Sequence, residues 1–219
     1  RRQRFAPLDD RFVFPESAVA AGDREALRSS VFEVEERATG AERTLKLWRK
    51  VGGDLDQDLR ELWRHEMRQV TRIMAYAGAR EVIVDILEFV EDDANFGVLL
   101  ERVGQPLDDK RKRVGREHWL RMLSAPRPRS LFWRNIRRVV TALGIVHAQG
   151  LVHGAVGEHA IMTEGGDQPD FQLGGFEWCL ALSGGGPGMA HADISASGAK
   201  QRPSNYAFAE DWRRLGLLI

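Results

Sequence analysis

Only one of the 219 residues is a cysteine, Cys179, so no disulfide within the chain can staple it. A lone thiol fits a reducing compartment, and the expected location is cytoplasmic. Net charge is missing as well. The 32 Lys and Arg residues are balanced by 32 Asp and Glu, which removes any electrostatic case for wholesale binding to nucleic acid or to a membrane surface. No apolar run reaches the roughly 18 residues that a membrane-crossing helix needs, and no Cys or His set has zinc-ligand spacing. The chain opens on Arg1 without an initiator methionine or a signal-like leader, and reads as a fragment of a larger protein. There is no internal repeat. What is present is globular: 43% hydrophobic and 29% charged residues, in a chain long enough to bury a sizeable core.

Residues 1 to 30 are the hardest to read; Phe12-Val13-Phe14 begins a strand that Pro15 ends or confines to an edge. Val31 to Glu36 and Glu42 to Trp48 flank the turn-like Ala38-Thr39-Gly40 and predict a hairpin. In its second strand Thr44, Lys46 and Trp48 share one face, and Leu45 and Leu47 the other. Asp54 or Asp56 then caps a helix to about Ile73, with Leu59, Leu62, Trp63, Met67, Val70 and Ile73 as its apolar stripe. Glu66 falls inside that stripe. Either Lys46 neutralises it or it sits at the rim and reaches water.

Glu81 to Phe89 and Phe96 to Val103 read as two more strands around the polar turn 91–95, giving about five strands and one helix in the first half. The basic cluster Lys110, Arg111, Lys112, Arg113 and Arg116 reads as a solvated face, and Ala125-Pro126-Arg127-Pro128 as a break. A helix follows from about Ser130 to Gln149, burying Phe132, Ile136, Val139, Val140, Leu143 and Val146 and ending at Gly150. Ser183 to Ser204 is small and polar, expected to be mobile, and Glu210 to Ile219 reads as the start of another helix.

Several of these segments, in this order, resemble landmarks of the protein-kinase superfamily. Thr44-Leu45-Lys46 is similar to the strand whose lysine contacts ATP phosphates, and Glu66 stands where the partner glutamate of that lysine is found. Val98-Leu99-Leu100-Glu101 resembles the last small-lobe strand and the start of the hinge. The resemblance then implies that backbone groups from Glu101 to Val103 face an adenine ring. His147 to His153, HAQGLVH, looks like the entry to the catalytic loop, with His153 as a bracing residue. Gly174-Gly175-Phe176-Glu177 resembles the metal-binding strand end, where Phe176 packs beneath the small-lobe helix. Asp211 in DWRRLG looks like the aspartate that braces the loop from the family's helix αF.

The resemblance implies an α+β, two-lobed protein-kinase-like fold: a small antiparallel-sheet lobe with one helix over residues 1–103, and a mainly helical large lobe over 104–219, truncated near helix αF. It also implies a degenerate member, a pseudokinase. Ala155 stands where the family has its catalytic aspartate, Ala160 where it has an asparagine for metal, and Gly175 where it has the Mg²⁺ aspartate. The glycine-rich phosphate loop is missing too, with Leu27, Ser29 and Phe32 at its glycine positions. The expectation is a regulatory or scaffolding module that contacts other protein domains or subunits and requires no cofactor. Two alternatives stay open: a metal-independent ATP-binding sensor using Lys46 and Glu66, and an unconventional phosphotransferase using displaced acids such as Glu158, Glu177, Asp167 or Asp170. Solvent exposure is the plainer expectation for Glu158 and Glu177.

Overall fold

A computed structural model describes residues 7–20, 29–181 and 207–219. The chain is α+β, with an antiparallel sheet in its first half and its longest helix in its second. The short helix α1 (Leu8–Arg11) leads into strand β1 (Phe12–Val13), followed by β2 (Ser30–Glu36), β3 (Ala41–Arg49), helix α2 (Asp54–Met74) and a single turn α3 (Ala79–Val82). Strands β4 (Ile86–Glu91) and β5 (Asn95–Leu100) complete a sheet ordered β1-β2-β3-β5-β4, with every neighbouring pair antiparallel.

Strand β3 is central and buried on both faces. Trp48 packs with Leu59, Phe96, Val98 and Leu100 on one side, while Leu45 and Leu47 pack with Phe12, Val34 and Leu99 on the other. That second face is covered by the start of the described chain: Leu8 and Phe12 are buried, and the Leu8 N–H donates to Asp92 Oδ2 at 3.2 Å. Asp92 also shapes the β4–β5 turn, its Oδ1 accepting from the N–H groups of Ala94 and Asn95.

The helix start differs from expectation. Gly53, at a φ of +78°, holds the capping position, and Asp56 reaches back so that its Oδ1 accepts the Val51 and Gly52 N–H groups at 2.7 and 3.0 Å. Along α2 the faces follow the 3.6-residue period: Leu59, Leu62, Glu66, Val70 and Ile73 are buried, and Trp63 donates its indole N–H to the Gly97 carbonyl at 2.8 Å. The segment read as a strand from Glu81 is instead the turn α3 followed by a connection that makes an isolated bridge from Ile83 to Leu173, and pairing within the first sheet starts at Ile86. Val82, Ile83 and Val84 are consecutively buried, and such a run looks the same whether it forms a strand or a connection packed on all sides.

The second half begins with β6 (Gln105–Pro106) and helix α4 (Leu107–Arg113), so most of the basic cluster is helical. It is not simply a solvated face: Arg111 pairs with Glu158, and Arg113 donates to the Val19 carbonyl at 2.7 Å. Helix α5 (Pro126–Ala148) starts at the proline pair rather than after it, because proline suits a first turn whose N–H groups have no helical partner. Phe132, Ile136, Val139, Leu143 and Val146 of α5 are buried, each worth about 1.5–3 kcal/mol of apolar transfer. Val140, expected among them, lies on the flank and is 40% exposed.

Gly150, in the left-handed region, ends α5, and β7 (Leu151–Val152) follows. Strands β8 (Ile161–Thr163) and β9 (Gln172–Leu173) form a small sheet with β6, while β10 (Leu180–Ala181) pairs with β7. Helix α6 (Ala207–Gly216) carries the last described contacts. The link from β5 to β6 runs through Gly104, at a φ of +75°, where an added Cβ would fall 2.2 Å from the Thr163 carbonyl oxygen. The expected mobile stretch from Ser183 to Ser204 lies outside the described residues. No described helix is long and apolar enough to cross a membrane.

Candidate functional site

Strand alternation puts Lys46 on the α2 side of the sheet, and helical spacing puts Glu66 opposite it. The Lys46 ammonium donates to both Glu66 carboxylate oxygens at 3.0 Å, and Glu66 is 3% exposed, so the rim alternative is excluded. A third residue joins them. Glu177, expected at the surface, accepts from Lys46 Nζ at 2.9 Å, carried there by the one-turn 3₁₀ helix Phe176–Trp178 that packs against α2.

One ammonium thus serves two carboxylates, Glu66 buried and Glu177 partly buried. Burial pulls the Lys46 pKa down, but Glu177 and Glu66 outweigh it and hold the ammonium above its usual value. Burial pushes Glu66 up to about 7 against the opposing pull of Lys46, with Glu177 adding to the rise. Burial also opposes ionisation of Glu177, but there Lys46 prevails and the carboxyl is held below its ordinary range.

This cluster borders a cavity of about 410 Å³ between the sheet and the 155–178 segment. Val31, Val84, Ile86, Leu100 and Met162 supply apolar wall, and Ala155, Ala160 and Gly175 line it as well. The cavity is of a size that suits a small molecule. Gly175 sits at a φ of +77°, a conformation that L side chains rarely adopt. Ser29 lines the cavity, but Phe32 does not: it lies against Phe14 on the opposite face, ring centroids 5.4 Å apart. Its expected place over the phosphates is therefore corrected by the pleat, which sends Val31 inward and Phe32 outward. Leu27 lies outside the described residues.

Glu101 is exposed, and neither it nor Val103 is among the described residues lining the cavity. The Val103 N–H is engaged by Thr44 Oγ1 at 3.3 Å, so this hinge-like donor is not aimed into open space. Of the other acids, Glu158 pairs with Arg111, Asp167 is exposed, and Asp170 organises its own turn by accepting from Thr163 Oγ1 and the Glu164 and Gly165 N–H groups. None of these three lines the cavity.

A second centre lies beneath the β7 loop. Asp211 of α6 is fully buried; its Oδ2 accepts the His153 N–H at 2.8 Å and contacts His147 Nε2 at 2.9 Å, and its Oδ1 accepts the Gly154 N–H at 2.9 Å. Burial opposes the charge, but His147 and the two backbone donors outweigh it and keep the Asp211 pKa below its ordinary value. His153 contacts the Gly174 carbonyl through Nε2 at 2.8 Å and packs edge-on against Phe176, and burial holds its pKa down. A neutral imidazole donating from Nε2 to Gly174 leaves Nδ1 to accept the Ala155 N–H at 3.3 Å.

Two contributions were not anticipated from sequence. His65, on the buried face of α2, contacts the Cys179 carbonyl at 2.5 Å, and Asp108 and Asp109 of α4 line the cavity. His65 had a signal, since it neighbours Glu66 and lies three residues after Leu62 on the apolar face. Asp108 and Asp109 had none: they precede a basic run and face the cavity only because β6 and β8 pair.

The positions that the resemblance assigns to ATP–Mg²⁺ chemistry are not equipped for it: Ala155, Ala160 and Gly175 carry no side-chain oxygen, and Lys46, the lysine among the described residues lining the cavity, already holds two carboxylates. Compared with protein-family models and with curated proteins, the chain matches none.

Proposed function

We propose that this is a kinase-like, two-lobed domain that has lost phosphoryl transfer and serves as a regulatory or scaffolding module in the cytosol, binding other protein domains or subunits. The observation that carries this reading is the Glu177 carboxylate on Lys46 Nζ at 2.9 Å. It occupies the place where a phosphate would need charge compensation, and it sits beside Ala155, Ala160 and Gly175, which cannot accept a proton or ligate a metal. An incoming triphosphate would have to displace Glu177 and then face two carboxylates around one ammonium.

Further support comes from Asp211 and His153, which tie the loop after β7 to α6 and to Gly174. This keeps the surroundings of an active centre rigid without its reactive groups, as a module used for its shape requires.

Thermal unfolding with ATP, in Mg²⁺ or in EDTA, tests the proposal. A ligand at about 100 times its dissociation constant stabilises the native state by about 2.7 kcal/mol, enough to move the midpoint by a few degrees. The expected result is an unchanged midpoint in both conditions. A shift that survives EDTA would establish a metal-independent nucleotide sensor instead, and a shift that needs Mg²⁺ would restore the phosphotransferase.

A further inference from the structure

The cavity has the wrong balance of charge for a phosphate and a suitable one for a cation. Among the described side chains lining it, the Lys46 ammonium and the His159 imidazole stand against the carboxylates of Glu66, Glu177, Asp108 and Asp109. The first two already consume Lys46. The other two belong to α4, where Lys112 reaches them from solvent, 3.2 Å from Asp109 Oδ1 and 3.7 Å from Asp108 Oδ2, with 68% of its side chain exposed.

That leaves Asp108 Oδ1 buried without a hydrogen-bond partner, on a side chain that is 28% exposed and also lines an adjoining cavity with Arg111 and Arg121. Buried acceptors are nearly always satisfied, so an orphaned carboxylate oxygen at a cavity wall favours a ligand that brings its own donor. The rest of the wall is apolar: Val31, Val84, Ile86, Leu100 and Met162 present aliphatic and thioether surface suited to the face of a ring.

We propose that this cavity is a binding site for a small planar aromatic cation, its ring enclosed by the apolar walls and its charged donor held by Asp108 and the neighbouring carboxylates. The inference goes beyond the interaction-module reading and rests on one part of it, the occupation of Lys46 by Glu177.

The test titrates the full chain calorimetrically, near neutral pH, with two probes that share a ring system: 4-aminoquinaldine, a cation, and quinaldate, an anion. ATP in EDTA is the third arm. Aminoquinaldine binds at least about tenfold more tightly than quinaldate, and its affinity falls as salt is raised. Asp108→Asn, which keeps the side-chain shape at a partly exposed helix position, weakens aminoquinaldine about fivefold and leaves quinaldate no weaker.

Quinaldate binding as well as the cation, no binding of aminoquinaldine, or a cation affinity indifferent to salt would each overturn the proposal, and the last needs no variant. An Asp108→Asn protein that folds and binds the cation unchanged would overturn it too. ATP binding more tightly than aminoquinaldine overturns this inference together with the exclusion of phosphate. Silence from both ATP and aminoquinaldine overturns this inference alone.

Discussion

Asp211 and Glu66 are both buried carboxylates, 0% and 3% exposed, yet their surroundings treat them in opposite ways. Asp211 is met by two backbone N–H groups and an imidazole, all fixed by the chain around β7, and its acidity is strengthened. Glu66 shares one ammonium with a competitor, Glu177, and is pushed up to about 7. The difference lies in the donors. Two backbone amides and a packed imidazole serve Asp211, whereas Glu66 has one backbone donor, at Phe176, and an ammonium that is divided with Glu177. Asp211 is therefore built to stay charged and fixed, and the Lys46 cluster is built with a charge it can give up.

The sharpest challenge to this contrast is Asp211→Ala, which strands the buried His153 N–H and the partly buried His147 and Gly154 groups at once. Denaturant unfolding should show a loss of about 3–5 kcal/mol, and a loss below about 1 kcal/mol would mean that the brace is not what holds the β7 loop. Lys46→Ala should cost less, about 2–3 kcal/mol at alkaline pH, and less again in mild acid, where Glu66 takes up a proton instead of remaining an unpaired anion. A cost independent of pH would erase the distinction between the two centres.

The third effect is a slope. Glu66 holds its proton in the native state up to about 7, while the unfolded carboxyl releases it near 4.5. Its contribution is complete below the unfolded value and is lost as pH rises through 7. Relative to Glu66→Gln, the natural chain should thus lose stability by up to about 1.4 kcal/mol per pH unit across that window. Parallel pH profiles of the two proteins would contradict the raised pKa. The smallest effect concerns Cys179, whose thiol burial pushes up to about 12. In the native chain, thiol reagents at mildly alkaline pH should not label it on the timescale of minutes. Because β10, which follows Cys179, pairs with β7, Asp211→Ala should expose the thiol sooner than Glu177→Gln.

The Lys46–Glu66 pair was one of two readings the sequence left open, and it was visible because both partners sit on periodic elements: alternation placed the lysine, helical spacing placed the glutamate, and burial of the glutamate then decided for a partner over the rim. The α5 stripe was readable on the same grounds, apart from Val140 at its edge. Glu177 was not, because it follows two glycines in an irregular turn where no period fixes direction. Its inward aim depends on the 3₁₀ turn that packs Phe176 into the core. Phe32 was misplaced for a related reason: matching a segment to a loop ignores the pleat, and the pleat decides its face. Pro126 and Pro128 were taken as a break because proline interrupts helix interiors, although the same ring geometry suits a first turn.

Gly104 has a significance that no contact energy expresses. Alanine is the smallest change available there, and even its methyl group would collide with the Thr163 carbonyl unless the β5–β6 link moved away from β8. Such a move would part Pro106 from Met162, two residues of the cavity wall. Residue 104 therefore has no neutral neighbour in sequence space. Across diverging descendants of this chain it should stay glycine while the cavity's side chains change around it, an unvarying position that carries no chemistry of its own.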